Sequence, residues 1–176
     1  MRQTGFSFIK DYKKEFGGSL LIGRRKTARP ISIKKPMHLI LKSTGASCFV
    51  PGSRKLENLI RAYAAKHGIK IYEVSLNWSH IHMLMKLPSK DAYLAFIRTV
   101  TSLIVAYLSK LKSKNLRGLF DLRPFTKILS WGKQFKTVIE YHELNDQEAR
   151  GLIVRKKKPV TKQRPARMAG LSGVRG

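Results

Sequence analysis

Nineteen residues, "IKIYEVSLNWSHIHMLMKL" at positions 69–87, constrain this chain more than any other part of it. Two strand-length apolar runs, 69–78 and 80–87, are separated by a tight polar link near Asn77 to Ser79, which is the pattern of a β-hairpin. Side chains alternate across a strand, so His80, His82 and Leu84 project from one face, and Ile81, Met83 and Met85 from the other. The hairpin therefore carries two neighbouring imidazoles on one side and a wholly apolar surface on the other.

That apolar surface needs covering. The run "MHLILKS" (37–43) suits a central strand. After a loop with Gly45, Pro51 and Gly52, Leu56, Leu59, Ile60, Tyr63 and Ala64 recur at helical spacing, with Ser53 as N-cap and Gly68 as the stop. Pro88 and Ser89 open a long helix whose apolar face runs from Tyr93 through Phe96, Ile97, Val100, Ile104 and Leu108 to Leu111. "PFTKILSW" (124–131) reads as a fourth strand and 132–149 as a final helix. The order β-α-β-β-α-β-α predicts an α+β fold, a ferredoxin-like antiparallel sheet with helices packed on one face.

At 176 residues the chain is long enough for one such domain, flanked by a basic N-terminal arm (1–35) and a basic disordered tail (154–176). Its 36 Lys and Arg against 10 Asp and Glu give a formal net charge of +26. The surplus is spread over the arm, the domain and the tail, so the folded part is itself basic. Nucleic acid is the partner this implies, because each neutralised phosphate releases condensed counterions; no lipidation signal points to a membrane. Cys48 stands alone, which excludes an internal disulfide and a multi-cysteine zinc site. No signal peptide is evident and no apolar run approaches the roughly 18 residues of a membrane span, so a cytoplasmic protein is expected.

Two adjacent neutral imidazoles can share a divalent cation while leaving positions open for catalysis. They can equally be half-buried polar residues satisfied by their neighbours. A carboxylate-cluster nuclease is disfavoured, since the eight acids between 37 and 150 mostly sit singly on helix faces or loops. The last helix supplies other chemistry. Tyr141 and Asn145 are one turn apart on one face; a tyrosine can attack phosphorus, and an amide oxygen can complete the shell of a hard cation.

"HIHML" on a central strand, followed some sixty residues later by a helix bearing "YHELN", resembles the single-tyrosine HUH transposases of bacterial insertion sequences and their domesticated relatives, the REP-associated tyrosine transposases. "GGSLLIGRRKTARPISIKKPMHLILKS" is similar to the arm and first strand of one subgroup, and "SWGKQFKTVIEYHELNDQEARGLI" to its terminal helix, so the resemblance spans about residues 17–153. Trp78 and Ser79 depart from the Pro-Asn or Gly-Asn pair that many members carry, and His142 stands where relatives often have Val or Leu.

The resemblance implies His80 and His82 as ligands of Mg²⁺ or Mn²⁺, Tyr141 as the nucleophile and Asn145 as third metal ligand. It further implies cleavage and rejoining of hairpin single-stranded DNA through a 5′-phosphotyrosine, without a nucleotide cofactor, in a nucleoid-associated protein. Insertion-sequence members are dimers in which one subunit's tyrosine serves the other's histidines; monomeric relatives exist. Arg24, Arg25, Lys26 and Arg29 in the arm, with Arg155, Lys156, Lys157 and Lys158 in the tail, are expected to grip the DNA backbone.

Two rivals remain at this level. A non-catalytic module binding RNA hairpins also uses a ferredoxin-like sheet with basic tails, but stacks bases on paired aromatics that these strands lack. Replication initiators and relaxases share the histidine pair, yet are larger, and relaxases place the tyrosine before the histidines.

Overall fold

The computed structural model describes residues 15–23, 27–45, 47–120 and 122–154. The elements are β1 (Glu15–Phe16), β2 (Met37–Lys42), α1 (Arg54–Lys66), β3 (Lys70–Asn77), β4 (His80–Lys86), α2 (Lys90–Leu111), β5 (Phe125–Ile128) and α3 (Lys133–Ala149), with a short 3₁₀ turn at Gly18–Leu21. The five strands form one antiparallel sheet in the order β1-β5-β2-β4-β3. Without β1, the four longer strands and the helices between them have the expected ferredoxin-like arrangement.

Pleating gives the sheet two unlike sides. Met37, Leu39 and Leu41 of β2, Ile81, Met83 and Met85 of β4, and Val74 and Leu76 of β3 project into the main core. Against them pack Leu56, Ile60 and Ala64 of α1 and Tyr93, Phe96, Val100, Ile104 and Leu108 of α2. Each fully buried Leu, Ile or Phe side chain here contributes about 1.5–3 kcal/mol. Ser89 caps α2 by accepting a hydrogen bond from the Ala92 amide at 3.0 Å, whereas Ser53 precedes α1 without a side-chain cap bond. The 22-residue α2 is long and apolar enough to match a membrane span by length and composition, which the sequence reading did not anticipate. Its buried stripe belongs to the core described above.

The opposite side of the sheet carries the histidines, interspersed with Ile40 and the fully buried Leu84. Register places Ile40 beside His82, Ser75 on its other flank, and Lys42 and Asn77 either side of His80, with His38 across from Leu84. The first two helices cover the apolar face, as expected; α3 lies across this second face, against β3 and β4. Its two buried residues, His142 and Asn145, are polar. Gly132, with φ of 86°, makes the turn into α3 in a backbone region unfavourable to residues with a Cβ.

The arm is partly built into the sheet. Phe16 pairs with Thr126, and Glu15 forms a 2.7 Å ion pair with Lys127. Gly17, at φ of 96°, lets the chain pass so close to Pro124 that any Cβ would strike the Pro124 carbonyl oxygen.

Candidate metal and nucleophile site

Four histidines and a tyrosine meet on this second face. His80 and His82 come from alternate positions of β4, and their rings are 4.6 Å apart at their centroids. The structure adds two that the sequence reading did not assign to the site. His38 of β2 lies beside His82, ring centroids 5.2 Å apart and planes within 17° of parallel, with its Nε2 3.0 Å from His82 Nδ1. From α3, His142 brings its Nε2 to 3.1 Å from the same His38 nitrogen. His38, His82 and His142 are all buried, and one nitrogen from each falls within 4.8 Å of the others.

Burial decides their charge. Loss of solvation holds His82 down to about 2, His38 to about 3 and His142 to about 4; neighbouring imidazoles add to the first two, and Lys127 to His38. His80 is lowered by burial and by Lys42. All four rings are therefore neutral near pH 7, the state in which imidazole offers a lone pair to a metal.

The buried polar atoms left without partners also converge here. Among the described residues these are His82 Nε2, His142 Nδ1, Ser75 Oγ and Asn77 Nδ2. Ser75 is the register neighbour of His82, and Asn77 that of His80. Buried polar groups are normally bonded, so a cluster of unpaired ones marks a place for a ligand or ion. The cluster fits a divalent cation. His82 presents Nε2, and His80, whose Nδ1 is 3.0 Å from Ser79 Oγ, keeps Nε2 for the same purpose.

Tyr141 stands over this cluster. Its ring centre is 5.8 Å from that of its own chain's His82, at 87°, and the residue is 44% exposed. Asn145, one turn further along α3, is buried. Lys42 and Lys127 lie on the same sheet face as the histidines, Lys127 in its ion pair with Glu15.

The remaining expected contacts divide. Arg29 turns inward: its Nη1 donates to the Pro124 carbonyl at 2.8 Å and to Thr126 Oγ1 at 2.7 Å, and its guanidinium lies over the Phe16 and Tyr93 rings. A guanidinium so engaged fastens the arm to β5. Arg24, Arg25, Lys26, Arg155, Lys156, Lys157 and Lys158 lie outside the described residues. A cavity of about 680 Å³ between α2 and residues 115–124 contains none of the histidines.

His38 had one signal in the sequence, a polar residue inside an apolar strand. What hid its role was the pairing register, which alone brings it diagonally beside His82.

No family model and no curated protein matches this sequence. Among solved structures, a REP-associated tyrosine transposase bound to a REP hairpin is similar, with a TM-score of 0.56 and 13% identity over 73% of this chain and 76% of that one. A candidate transposase from Deinococcus radiodurans aligns with a TM-score of 0.44 and 15% identity, covering 69% of this chain and 98% of that one. The first comparison establishes a shared architecture: the chain has the fold of a REP-associated tyrosine transposase.

Proposed function

We propose that this protein is a single-tyrosine HUH transposase that binds hairpin single-stranded DNA and cuts and rejoins it through Tyr141. The observation that carries the reading is the position of an exposed tyrosine ring 5.8 Å from His82, whose buried Nε2 has no partner. Support also comes from the net charge of +26 and from a fold shared with a transposase whose structure holds a REP hairpin.

In this mechanism His80 and His82 would hold Mg²⁺ or Mn²⁺, with Asn145 as candidate third ligand. The bound cation supplies Lewis acidity toward a phosphoryl oxygen. Tyr141 Oη attacks phosphorus in line, losing its proton as the bond to the 3′ oxygen breaks. A 5′-phosphotyrosine and a 3′-hydroxyl result. Because the ester bond is kept, a 3′-hydroxyl can attack the phosphotyrosine, restore Tyr141 and join new ends without a nucleotide cofactor. Lys42, beside His80, stabilises the phosphate's charge from the side. With Tyr141 over its own chain's His82, one subunit carries a whole constellation, so the reading needs no exchange of helices between protomers.

The test is a labelled single-stranded hairpin incubated with protein and Mn²⁺ or Mg²⁺. Wild type forms a denaturant-resistant protein-DNA adduct; Tyr141→Phe and chelated wild type do not. Adduct persisting in Tyr141→Phe removes Tyr141 as nucleophile. Tight binding with no cleavage of any hairpin favours the non-catalytic RNA or DNA hairpin-binding module instead.

A further inference from the structure

The buried junction of His38, His82 and His142 contains more proton logic than a packed core requires. Two ring nitrogens, His82 Nδ1 at 3.0 Å and His142 Nε2 at 3.1 Å, approach the single atom His38 Nε2. A neutral imidazole carries one ring proton, so each ring has one donor nitrogen and one acceptor. If His38 Nε2 held a proton, the two facing nitrogens would have to be bare. The protons of His82 and His142 would then sit on His82 Nε2 and His142 Nδ1, the two buried ring nitrogens without partners. That arrangement strands two buried N–H donors, which native structures avoid.

The reverse assignment strands no N–H donor on His82 or His142. With His38 Nε2 bare, its one lone pair is shared between His82 Nδ1–H and His142 Nε2–H. His82 Nε2 is then a lone pair aimed away from the junction, the form in which an imidazole ligates a metal. Metal-bound histidines characteristically donate their other N–H to an acceptor that fixes ring orientation and tautomer. Here the acceptor is a third imidazole, and His142, on the residue next to the candidate nucleophile, keeps that acceptor bare by donating to it as well.

We infer that His38 is a positioning residue which, held by His142, locks His82 in its Nδ1–H tautomer and so prepares His82 Nε2 to bind a divalent cation. This inference rests on the proposed metal-binding role of His82, but its own content is the proton position, which exists without metal or DNA. The two are separable by experiment.

The primary readout is long-range ¹H–¹⁵N NMR of the metal-free full chain at neutral pH, with His82 assigned by comparison with His82→Ala. Wild type shows His82 as the Nδ1–H tautomer; His82 found as Nε2–H overturns the inference whatever the enzyme does. The second readout is Mn²⁺ alone, titrated and followed by electron paramagnetic resonance. His38→Leu, which removes the acceptor, weakens Mn²⁺ binding about 10- to 100-fold, while His38→Gln, whose amide oxygen can accept in its place, recovers most of it. Equal losses in the Leu and Gln variants, with circular dichroism unchanged, make the role one of packing and overturn the inference. Absence of Mn²⁺ binding in wild type, with the tautomer as stated, overturns the metal reading of His82 and leaves the proton assignment standing.

Discussion

His142 Nε2 lies 3.1 Å from His38 Nε2, which ties the residue after Tyr141 directly to β2 in the centre of the sheet. The candidate nucleophile is thus indexed to the histidines by a buried side-chain contact. Orientation at the scale of an ångström governs in-line attack, and loss of such indexing typically costs about 100-fold in rate. His142→Leu, close to the residue often found here in the resembling family, is expected to slow adduct formation while leaving hairpin affinity within about twofold, measured by single-turnover cleavage and by filter binding.

Removing the ligands should separate chemistry from binding. His80→Ala and His82→Ala are expected to abolish adduct formation at any Mn²⁺ concentration tested. Hairpin affinity should stay within a few-fold of wild type, because phosphate contacts dominate it. A parallel collapse of affinity, read by anisotropy of a labelled hairpin, would assign the histidines to DNA binding.

The neutral histidines make stability pH-dependent with a definite sign. Their folded values, about 4 for His142, 3 for His38 and 2 for His82, lie below the ordinary 6.5. Between about pH 6.5 and 4 the unfolded chain binds protons that the fold refuses, so stability is full above 6.5 and declines as pH falls. Each group adds a slope approaching about 1.4 kcal/mol per pH unit. Urea unfolding of the metal-free protein from pH 7.5 to 4.5 should show this, and His142→Phe should flatten the curve by one group.

Arg29 and the distal arginine and lysine clusters should behave oppositely. Arg29→Met removes two hydrogen bonds and two ring contacts within the fold. It is expected to destabilise by about 1–3 kcal/mol in urea unfolding with little effect on DNA affinity. Replacing Arg155, Lys156, Lys157 and Lys158 by Ala should leave unfolding unchanged and reduce the salt dependence of hairpin binding, by about 0.7 in log-log slope per lost phosphate contact on single strands. A salt slope equal to wild type would remove this cluster from the DNA surface.

The longer elements were legible because two periods, 2 for strands and 3.6 for helices, are strong in this chain: Ile81, Met83 and Met85 alternate without a break, and Tyr93 to Leu108 keep one stripe. β1 was not, since Glu15 and Phe16 are too few to show a period and pair only because Gly17 and Arg29 press the arm on β5. His80 and His82 share a face by local geometry, so their adjacency could be read. Their approach to His38 and His142 depends on sheet register and on which face α3 covers, both settled by packing between distant segments. Asn145 was placed correctly one turn from Tyr141, and its burial also follows from that packing.

The unequal anchoring of the three helices sets an order of release. α1 and α2 contribute three and five buried apolar residues, α3 two buried polar ones and the contact of Phe135 with Tyr72. Amide protons of α3 are therefore expected to exchange with deuterium through a local opening that leaves β2 and β4 protected. Tyr141 and His142 thus ride on the layer expected to open first, and His38, His80 and His82 sit on the layer expected to open last.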